Sequence, residues 1–522
     1  MSLTGLDPAS PRPAIAREYI FAAGPSSGTS PSRPVLIVGN KTATGSETVD
    51  AVSDTPITDD TDARARLGLR SEAYAMYRQF VAVPQDADIY VCCPTESGGV
   101  AGSCDLTAVG ASDVATTWEI KIHGEPVTYS CEVGDAIATT AAGIRDAINA
   151  YDSGRLQVIA TAALGVCTIT TAQKGARADL IIGADATHGI RIRVINGFGN
   201  TQVVSKGVIV AGGAVDDHTA AIAAIANGEY YYQVTPSHVV VALTTADNGA
   251  GEHLTMIGTQ ALPINNKDQR LFAGLVGTQA QATTCVTGAG GNSVYGNFFH
   301  QESSDWTPGM IAAHCCGVVR QQEIGHPAAN INGWSSSPGD GRIFNVPAPF
   351  LTADRPTNAE IVADLNNGIS PISYVGGRVI LERFITSRSL NSAGSNDYRA
   401  REGHIPSVMH FCWSILKQRY ESIRQPFADD DPTGNSPPAA RTMVPSTIKA
   451  LIFSMLDEFT GSAPMGGNYS GPILKPSALQ EMKDSVSVTY AGGGSFNTSI
   501  GFQAVEHDLK WSAALLEMGD DY

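Results

Sequence analysis

The segment N-A-E-I-V-A-D-L-N-N-G-I-S-P-I-S-Y-V-G-G-R-V-I-L-E-R-F-I-T-S, residues Asn358 to Ser387, has the pattern of a helix followed by a β-hairpin. Apolar residues in its first part recur at the spacing of one helical face, at Ile361, Val362 and Leu365. Asn358 can cap the first turn, and Gly368 can adopt the left-handed conformation with which many helices end. Two strands joined by a Gly376-Gly377 turn are predicted next, at Ile369 to Val375 and Arg378 to Ile385.

This order of elements resembles the C-terminal domain of contractile tail sheath proteins, the contracting outer sleeves of phage tails and related injection machines. The features that carry the resemblance are the helix, the Asn-Gly stop, the Pro-containing strand, the Gly-Gly-Arg turn and the apolar strand. The resemblance is strongest from about Thr357 to the C terminus, and a weaker one covers the first hundred residues. It implies a mechanical assembly subunit without enzymatic activity.

Length and composition limit the other possibilities. A chain of 522 residues is long enough for several domains, each with its own core. The net charge of -17 makes direct nucleic-acid binding an unfavourable function. No apolar run is long enough to span a bilayer, and the first residues lack the pattern of a secretory signal, so we expect a protein made in a cytoplasm. Nine dispersed cysteines without a C-x-x-C motif indicate reduced, buried thiols.

The predicted fold class is α/β (α+β) and multidomain, with an open mixed sheet, helices, an inserted β-rich domain and a strand arm at each end. Alternating strands and helices indicate the open sheet, and Gly-rich turns border a Thr- and Ala-rich stretch that interrupts it. The predicted strands of the sheet include His238 to Leu243, Arg270 to Val276 and Ser293 to Phe299, with no helix predicted between the last two. The predicted regions are an N-terminal arm and linker (1–34), a body (35–94 with 210–350), the insertion (95–209) and a C-terminal sheath domain with its arm (351–522).

Four motifs could carry chemistry. Gly24-Pro25-Ser26-Ser27-Gly28 matches G-x-S-x-G, but it lies in a linker without the helix that a nucleophile elbow requires. His314-Cys315-Cys316 is predicted to lie on a helix, where adjacent side chains diverge, so core positions are favoured over a Cys-His nucleophile. The remaining two, His300-Glu302-Asp305 and the run Asp429 to Asp431, are interpreted as polar loops and not as metal sites. Gly-rich loops lack the nucleotide-binding motifs, so neither a cofactor nor a metal is predicted.

Two strand-like segments near the chain ends are the predicted inter-subunit contacts. Side chains that share one face of each extended segment would be the anchors: Ile15, Arg17, Tyr19 and Phe21 in the first, and Leu509, Trp511, Ala513 and Leu515 in the second. In the sheath family such arms complete a sheet in the C-terminal domain of neighbouring subunits, and the resemblance implies the same role here. The alternative, pairing within the same chain, stays open.

The resemblance also implies partners and a location. The chain would polymerise with itself as stacked hexameric rings around a tail tube protein, and would contact baseplate and tail terminator proteins. It would belong to the virion tail, be assembled in the host bacterial cytoplasm, and contract to drive the tube through the target cell envelope. The insertion would lie on the outside. Two other functions stay open, a cytoplasmic α/β hydrolase or transferase using His314 with a cysteine, and an adhesive surface protein binding through the Thr/Gly-rich insertion.

Overall fold

The computed structural model of the chain describes part of its residues. The described ranges are 33–84, 86–96, 98–122, 124–182, 189–236, 250–262, 267–329, 331, 346–349, 354–375, 377–390, 394–395, 401–423, 427–431, 442–461, 471–492, 495–501 and 503–504. These ranges fall into two compact units. The larger unit contains Arg33–Gln321 and Asn332–Glu402, and the smaller one contains Gln322–Ile331 and the residues from Gly403 onward.

The larger unit begins with a strand-helix-helix-strand segment. Its elements are β1 (Val35–Val38), α1 (Asp60–Leu67), α2 (Glu72–Val81) and β2 (Ile89–Cys92). Ser71 caps α2, because its side chain accepts a hydrogen bond from the Tyr74 amide at 3.0 Å. The two strands pair in parallel, as a βαβ unit requires.

An insertion then interrupts the body and forms two antiparallel sheets of its own. Its elements are β3 (Ala101–Val109), β4 (Thr116–Ile122), β5 (Glu125–Cys131), α3 (Ile137–Ala150), β6 (Val158–Ala163), β7 (Val166–Lys174), α4 (Ala176–Ile182), β8 (Arg191–Asn196) and β9 (Val203–Val210). The sheet orders are β6-β7-β3-β9 and β5-β4-β8. A separate core that includes Trp118, Ile120, Ile144 and Ile169 lies between these elements, so this β-rich region has its own hydrophobic stabilisation.

The body resumes after the insertion and completes a large sheet. Its further elements are α5 (Thr219–Ile225), β10 (Tyr232–Thr235), α6 (Ala250–Gln260), β11 (Arg270–Val276), α7 (Gln279–Gly288), β12 (Gly296–Gln301), α8 (Pro308–Gly325), α9 (Asn358–Asn366), β13 (Ile369–Val375) and β14 (Arg378–Leu381). The strand order is β14-β13-β12-β11-β10-β1-β2, and every neighbouring pair is parallel except β13 with β14. The predicted class, α/β with a mixed sheet, is therefore confirmed.

The helix and hairpin predicted from residues 358–387 are present, with two differences. Thr357 and not Asn358 caps the helix, because Thr357 and Glu360 form a reciprocal capping box. The second strand ends at Leu381, four residues before the predicted end at Ile385. Gly368 has a φ of 75°, as its predicted role at the helix end requires. Because β13 pairs with β12, the hairpin belongs to the larger unit.

The smaller unit is built on two helices. Its elements are α10 (His404–Ile423), β15 (Phe427–Ala428), β16 (Thr442–Met443), α11 (Pro445–Phe459), α12 (Leu479–Ser485), β17 (Ser487–Gly492) and β18 (Ser495–Ser499). Five apolar residues that share one stripe of the long helix α10 are buried, and Tyr420 packs at the margin of the same core. The members of that stripe are Val408, Met409, Cys412, Ile415 and Leu416. Burial of such a stripe against α11 supplies the unit's hydrophobic stabilisation.

All nine cysteines are buried, as predicted. Among the helices that the structure describes, none has both the length and the hydropathy of a membrane span.

Candidate functional site

The hairpin β17–β18 of the smaller unit is the candidate site for contact with other subunits. Its strands pair antiparallel, with Val488 opposite Thr498 and Tyr490 opposite Phe496, and the register shifts between Tyr490 and Gly492. The Tyr490 and Phe496 rings lie 5.4 Å apart between centroids. In the described part of the chain these two strands form a sheet by themselves, so each has one edge without a neighbouring strand there.

One face of the hairpin rests on the core of its unit. Val488, Phe496 and Ile500 are partly buried against the cluster formed by α10, α11 and α12, and β17 contacts α11. An isolated two-stranded hairpin is marginally stable in water, and here the helices supply the apolar support. The result is a two-stranded sheet supported by helices, with two edges that no described strand covers.

The eight predicted anchor residues of the two arms lie outside the described residues. They are Ile15, Arg17, Tyr19, Phe21, Leu509, Trp511, Ala513 and Leu515. Their assignment as inter-subunit contacts therefore stays a prediction. The Gly24-Pro25-Ser26-Ser27-Gly28 match also falls outside the described part of the chain.

The His300-Glu302-Asp305 cluster does not converge on one point. Asp305 pairs with Arg191 of the insertion and lies 4.0 Å from the Lys121 ammonium. His300 is fully buried and pairs with Asp364 of α9, which the local motif does not contain. Within the described ranges no group of three His, Cys, Asp or Glu residues could hold a metal ion. The interpretation of this cluster as structural is thus supported by the partners that two of its members have.

His300 and Asp364 form a buried ion pair between the sheet and α9. The His300 Nδ1 atom lies 2.6 Å from Asp364 Oδ2, and its Nε2 atom lies 2.8 Å from the Gly277 carbonyl oxygen. A carboxylate and a carbonyl oxygen both accept hydrogen bonds, so this geometry favours the imidazolium form, in which both ring nitrogens donate. Burial by itself lowers the His300 pKa, but the hydrogen bond and negative charge of Asp364 outweigh burial and raise it.

The stability of the larger unit is expected to fall as the pH rises through the raised His300 pKa. A histidine whose pKa is higher in the folded than in the unfolded chain, where it is about 6.5, stabilises the fold fully below the unfolded pKa. This stabilisation is lost as the pH rises through the folded pKa. Asp364→Asn should remove this pH dependence and lower the free energy of unfolding by about 3 to 5 kcal/mol at pH 6. Thermal unfolding from pH 6 to 9 measures both effects. The exposed Asp146→Asn is the control, and an unchanged pH profile in Asp364→Asn would contradict the assignment.

The Cys-His site suggested by His314, Cys315 and Cys316 lacks the properties of a nucleophile. Burial raises the pKa of the Cys315 thiol, whereas a nucleophilic cysteine needs a lowered one. His314 is buried, with Nδ1 3.3 Å from the Gln79 carbonyl oxygen and its ring edge-on to Trp306. The predicted core role of the cysteines is confirmed by their complete burial on α8.

A buried ionic network at the root of the insertion was not predicted from the sequence. Arg177 of α4 pairs with Asp216 and lies 3.4 Å from the Glu72 carboxylate of α2. Gln173 accepts a hydrogen bond from the Glu72 amide at 2.7 Å and donates one to the Lys41 carbonyl at 3.2 Å. The Arg177 side chain is only 3% exposed. These contacts fix the insertion to the body with charged groups shielded from water.

Two sheath structures are among the solved structures to which the chain is similar, and each match covers nearly the whole chain. A sheath tail protein from Desulfitobacterium hafniense is 11% identical, covers 94% of this chain and 98% of its own, and has a TM-score of 0.44. The helical sheath of the anti-feeding prophage in its contracted state is 12% identical, with coverages of 95% and 96% and a TM-score of 0.40. No family model matches, and no curated protein does. Both TM-scores are below 0.5, so the function of this chain is argued from its own residues.

Proposed function

We propose that the chain is the structural subunit of a contractile tail sheath. It polymerises as stacked rings around an inner tail tube and contracts to drive that tube through the target cell envelope. The observation that carries the proposal is the hairpin β17–β18, a core-supported sheet with an edge on each side that no described strand covers. The pattern of residues 358–387 supports it independently.

In this proposal the arm strands of neighbouring subunits pair with the two edges of the hairpin. Residues 14–23 and 508–518 can each form one extended strand with an apolar face. Adding one on each side would turn a two-stranded sheet into a four-stranded one whose strands come from different copies. The links persist while the subunit bodies rotate, so the polymer can change shape without coming apart.

Contraction needs free energy, and the sequence has no motif for binding a nucleotide whose hydrolysis could supply it. The energy would therefore come from contacts between subunits, which are better in the contracted than in the extended polymer. The extended polymer would be held by a kinetic barrier until contraction begins. The tail tube, baseplate and tail terminator proteins are its proposed partners, and the insertion is proposed to face outward. Loss of tube binding in a variant lacking residues 101–210 would contradict that orientation.

Purified full-length chain is expected to form tubes with a regular axial repeat in negative-stain electron microscopy. A hydrolase or transferase would stay a discrete oligomer, and an adhesin would bind cells or glycans through its isolated insertion without forming tubes. The burial of Cys315 and His314 makes the enzymatic function the weaker alternative. A particle that stays globular at all protein concentrations and in the presence of tail tube protein would refute the sheath function.

A further inference from the structure

The end of the insertion farthest from its root is formed by four loops. These loops are residues 109–116, 131–137, 163–166 and 196–203, which join the ends of strands opposite to those that enter and leave the body. Backbone hydrogen bonds hold them together: the Gly134 amide donates to the Ser112 carbonyl at 2.7 Å, and the amide of Ala108, at the end of β3, donates to the Gly165 carbonyl at 2.9 Å. The buried Gln202 side chain donates to the carbonyl groups of Gly110 and Asp135, each at 3.3 Å. The four loops, called the distal tip below, therefore form one ordered surface.

Leu164 lies at this tip although it is apolar and its backbone has a conformation that leucine disfavours. It is 95% exposed. It also occupies the first position of the two-residue β6–β7 turn with a φ of 50°, followed by Gly165 at 85°. Asn or Gly is favoured at such a position, and a branched apolar residue there is strained. A side chain that disfavours the turn and gains nothing from burial indicates a role outside the isolated chain.

Other large apolar side chains of the distal tip are also exposed. Phe198 is 77% exposed, between two glycines that have positive φ. Val109 and Val203 are directly opposite each other on β3 and β9, and both are exposed. Val133 and Val114 extend the apolar surface onto the neighbouring loops. Apolar side chains that gather at one end of a domain mark interaction surfaces, whereas isolated ones do not.

The charged side chains in the loops of the distal tip are all acidic. Its four loops contain three acidic residues, Asp113, Glu132 and Asp135, and no Lys or Arg. The hydrogen bond from the Thr201 amide, 2.8 Å long, lowers the pKa of Asp113 and so favours its charged form. Two such tips would repel each other, and an anionic lipid surface would repel them as well.

We propose that the distal tip is a docking surface for a second protein, whose contact region combines apolar side chains with an excess of Lys and Arg. Leu164 and Phe198 are the apolar anchors, and the three carboxylates select the basic partner. Anchors of this kind contribute most of the binding energy at small interfaces, and the charges contribute orientation and association rate. The inference does not depend on the proposed function, since it concerns a surface that a monomer also presents.

The test measures binding of the full-length chain to two short amphipathic peptides, one of Leu and Lys and one of Leu and Glu, by fluorescence anisotropy. The chain should bind the Lys peptide, and added salt should weaken binding. Leu164→Asn combined with Phe198→Ser should reduce the affinity by about tenfold or more. The Leu164→Asn change suits the turn, so the melting temperature should stay equal or rise. Asp113→Asn with Glu132→Gln should reduce the preference for the Lys peptide.

Val362→Ser is the matched control, since Val362 is an exposed apolar residue on α9, which is not part of the insertion. It should leave binding unchanged. Equal binding of the Lys peptide by the Leu164→Asn, Phe198→Ser variant would overturn the proposal, because it would place binding elsewhere on this acidic chain. Preference for the Glu peptide, or tighter binding to phosphatidylserine vesicles than to the Lys peptide, would overturn it too. Failure of tube formation would leave these results unaffected.

Discussion

Deletion of residues 1–24 is expected to abolish helical polymers and to leave a folded monomer. In the proposed assembly this segment supplies the strand that pairs with the hairpin β17–β18 of a neighbouring copy. The first strand that the structure describes, β1, begins at Val35, after this segment. Loss of the arm should therefore remove the link between subunits and not the subunit itself.

The expected effect is large because an added strand contributes through its whole backbone. About six to eight hydrogen bonds at about 0.5 to 1.5 kcal/mol net each would form along a strand of about eight residues. Each large apolar anchor, such as Tyr19 or Phe21, adds about 1.5 to 3 kcal/mol on burial. Even after the entropy of ordering the arm is subtracted, several kcal/mol per contact correspond to a change of about a hundredfold or more in association constant.

Sedimentation and negative-stain microscopy measure polymer formation, and circular dichroism with thermal unfolding measures the fold of the truncated monomer. Tyr19→Ser with Phe21→Ser should reproduce the defect in the full-length chain. Glu18→Gln lies on the opposite face of the extended segment and should leave polymers intact. Normal tubes from the truncated protein would rule out strand exchange by the N-terminal arm.

Local patterns predicted the elements that have strong periodicity. The strand Arg270–Val276 has the predicted bounds. A parallel strand that is buried on both faces is a continuous apolar run, so its ends can be predicted without knowing which strands pair with it. Helix α7 was missed, since its residues are small and polar and produce no apolar stripe. The capping box formed by Thr278 and Gln281 was the available signal for its start. The strand predicted at His238 to Leu243 lies outside the described residues.

Contacts between distant residues could not be predicted in the same way. The sequence placed Ile361, Val362 and Leu365 on the apolar face of α9, but the fully buried side chain of that helix is Asp364. Its partner, His300, lies 64 positions away. Arg177 and Glu72 are 105 positions apart. Sequence alone predicts that a charged residue is exposed, because such residues are seldom buried without a partner. Only the fold shows that a residue of opposite charge is buried next to it.

Arg177→Met is expected to destabilise the larger unit by about 3 to 5 kcal/mol, because it leaves two carboxylates in the interior without the guanidinium. Burial already raises the pKa of Glu72, and the positive charge of Arg177 opposes that rise. Without Arg177 the pKa should rise further. A carboxyl group whose pKa is raised in the folded chain does not destabilise the fold below its unfolded pKa of about 4.3. The free energy of unfolding then falls as the pH rises from that value through the folded pKa. The loss should therefore be larger at pH 8 than at pH 5.

Urea unfolding of the full-length chain measures the loss, and hydrogen exchange locates it. Arg177→Met should make the amides of β3, β7 and β9 near the root exchange faster than they do in the unchanged chain. The exchange rates of β17 and β18, which belong to the other unit, should stay the same. Arg145→Met is the matched control, since Arg145 lies on the surface of the insertion and pairs with the exposed Asp146. Combining Arg177→Met with Glu72→Gln and Asp216→Asn should recover part of the lost stability, because neutral side chains replace the buried charges. If Arg177→Met and Arg145→Met unfold at the same urea concentration, the network does not hold the insertion to the body. Equal stability would imply that apolar packing alone joins them.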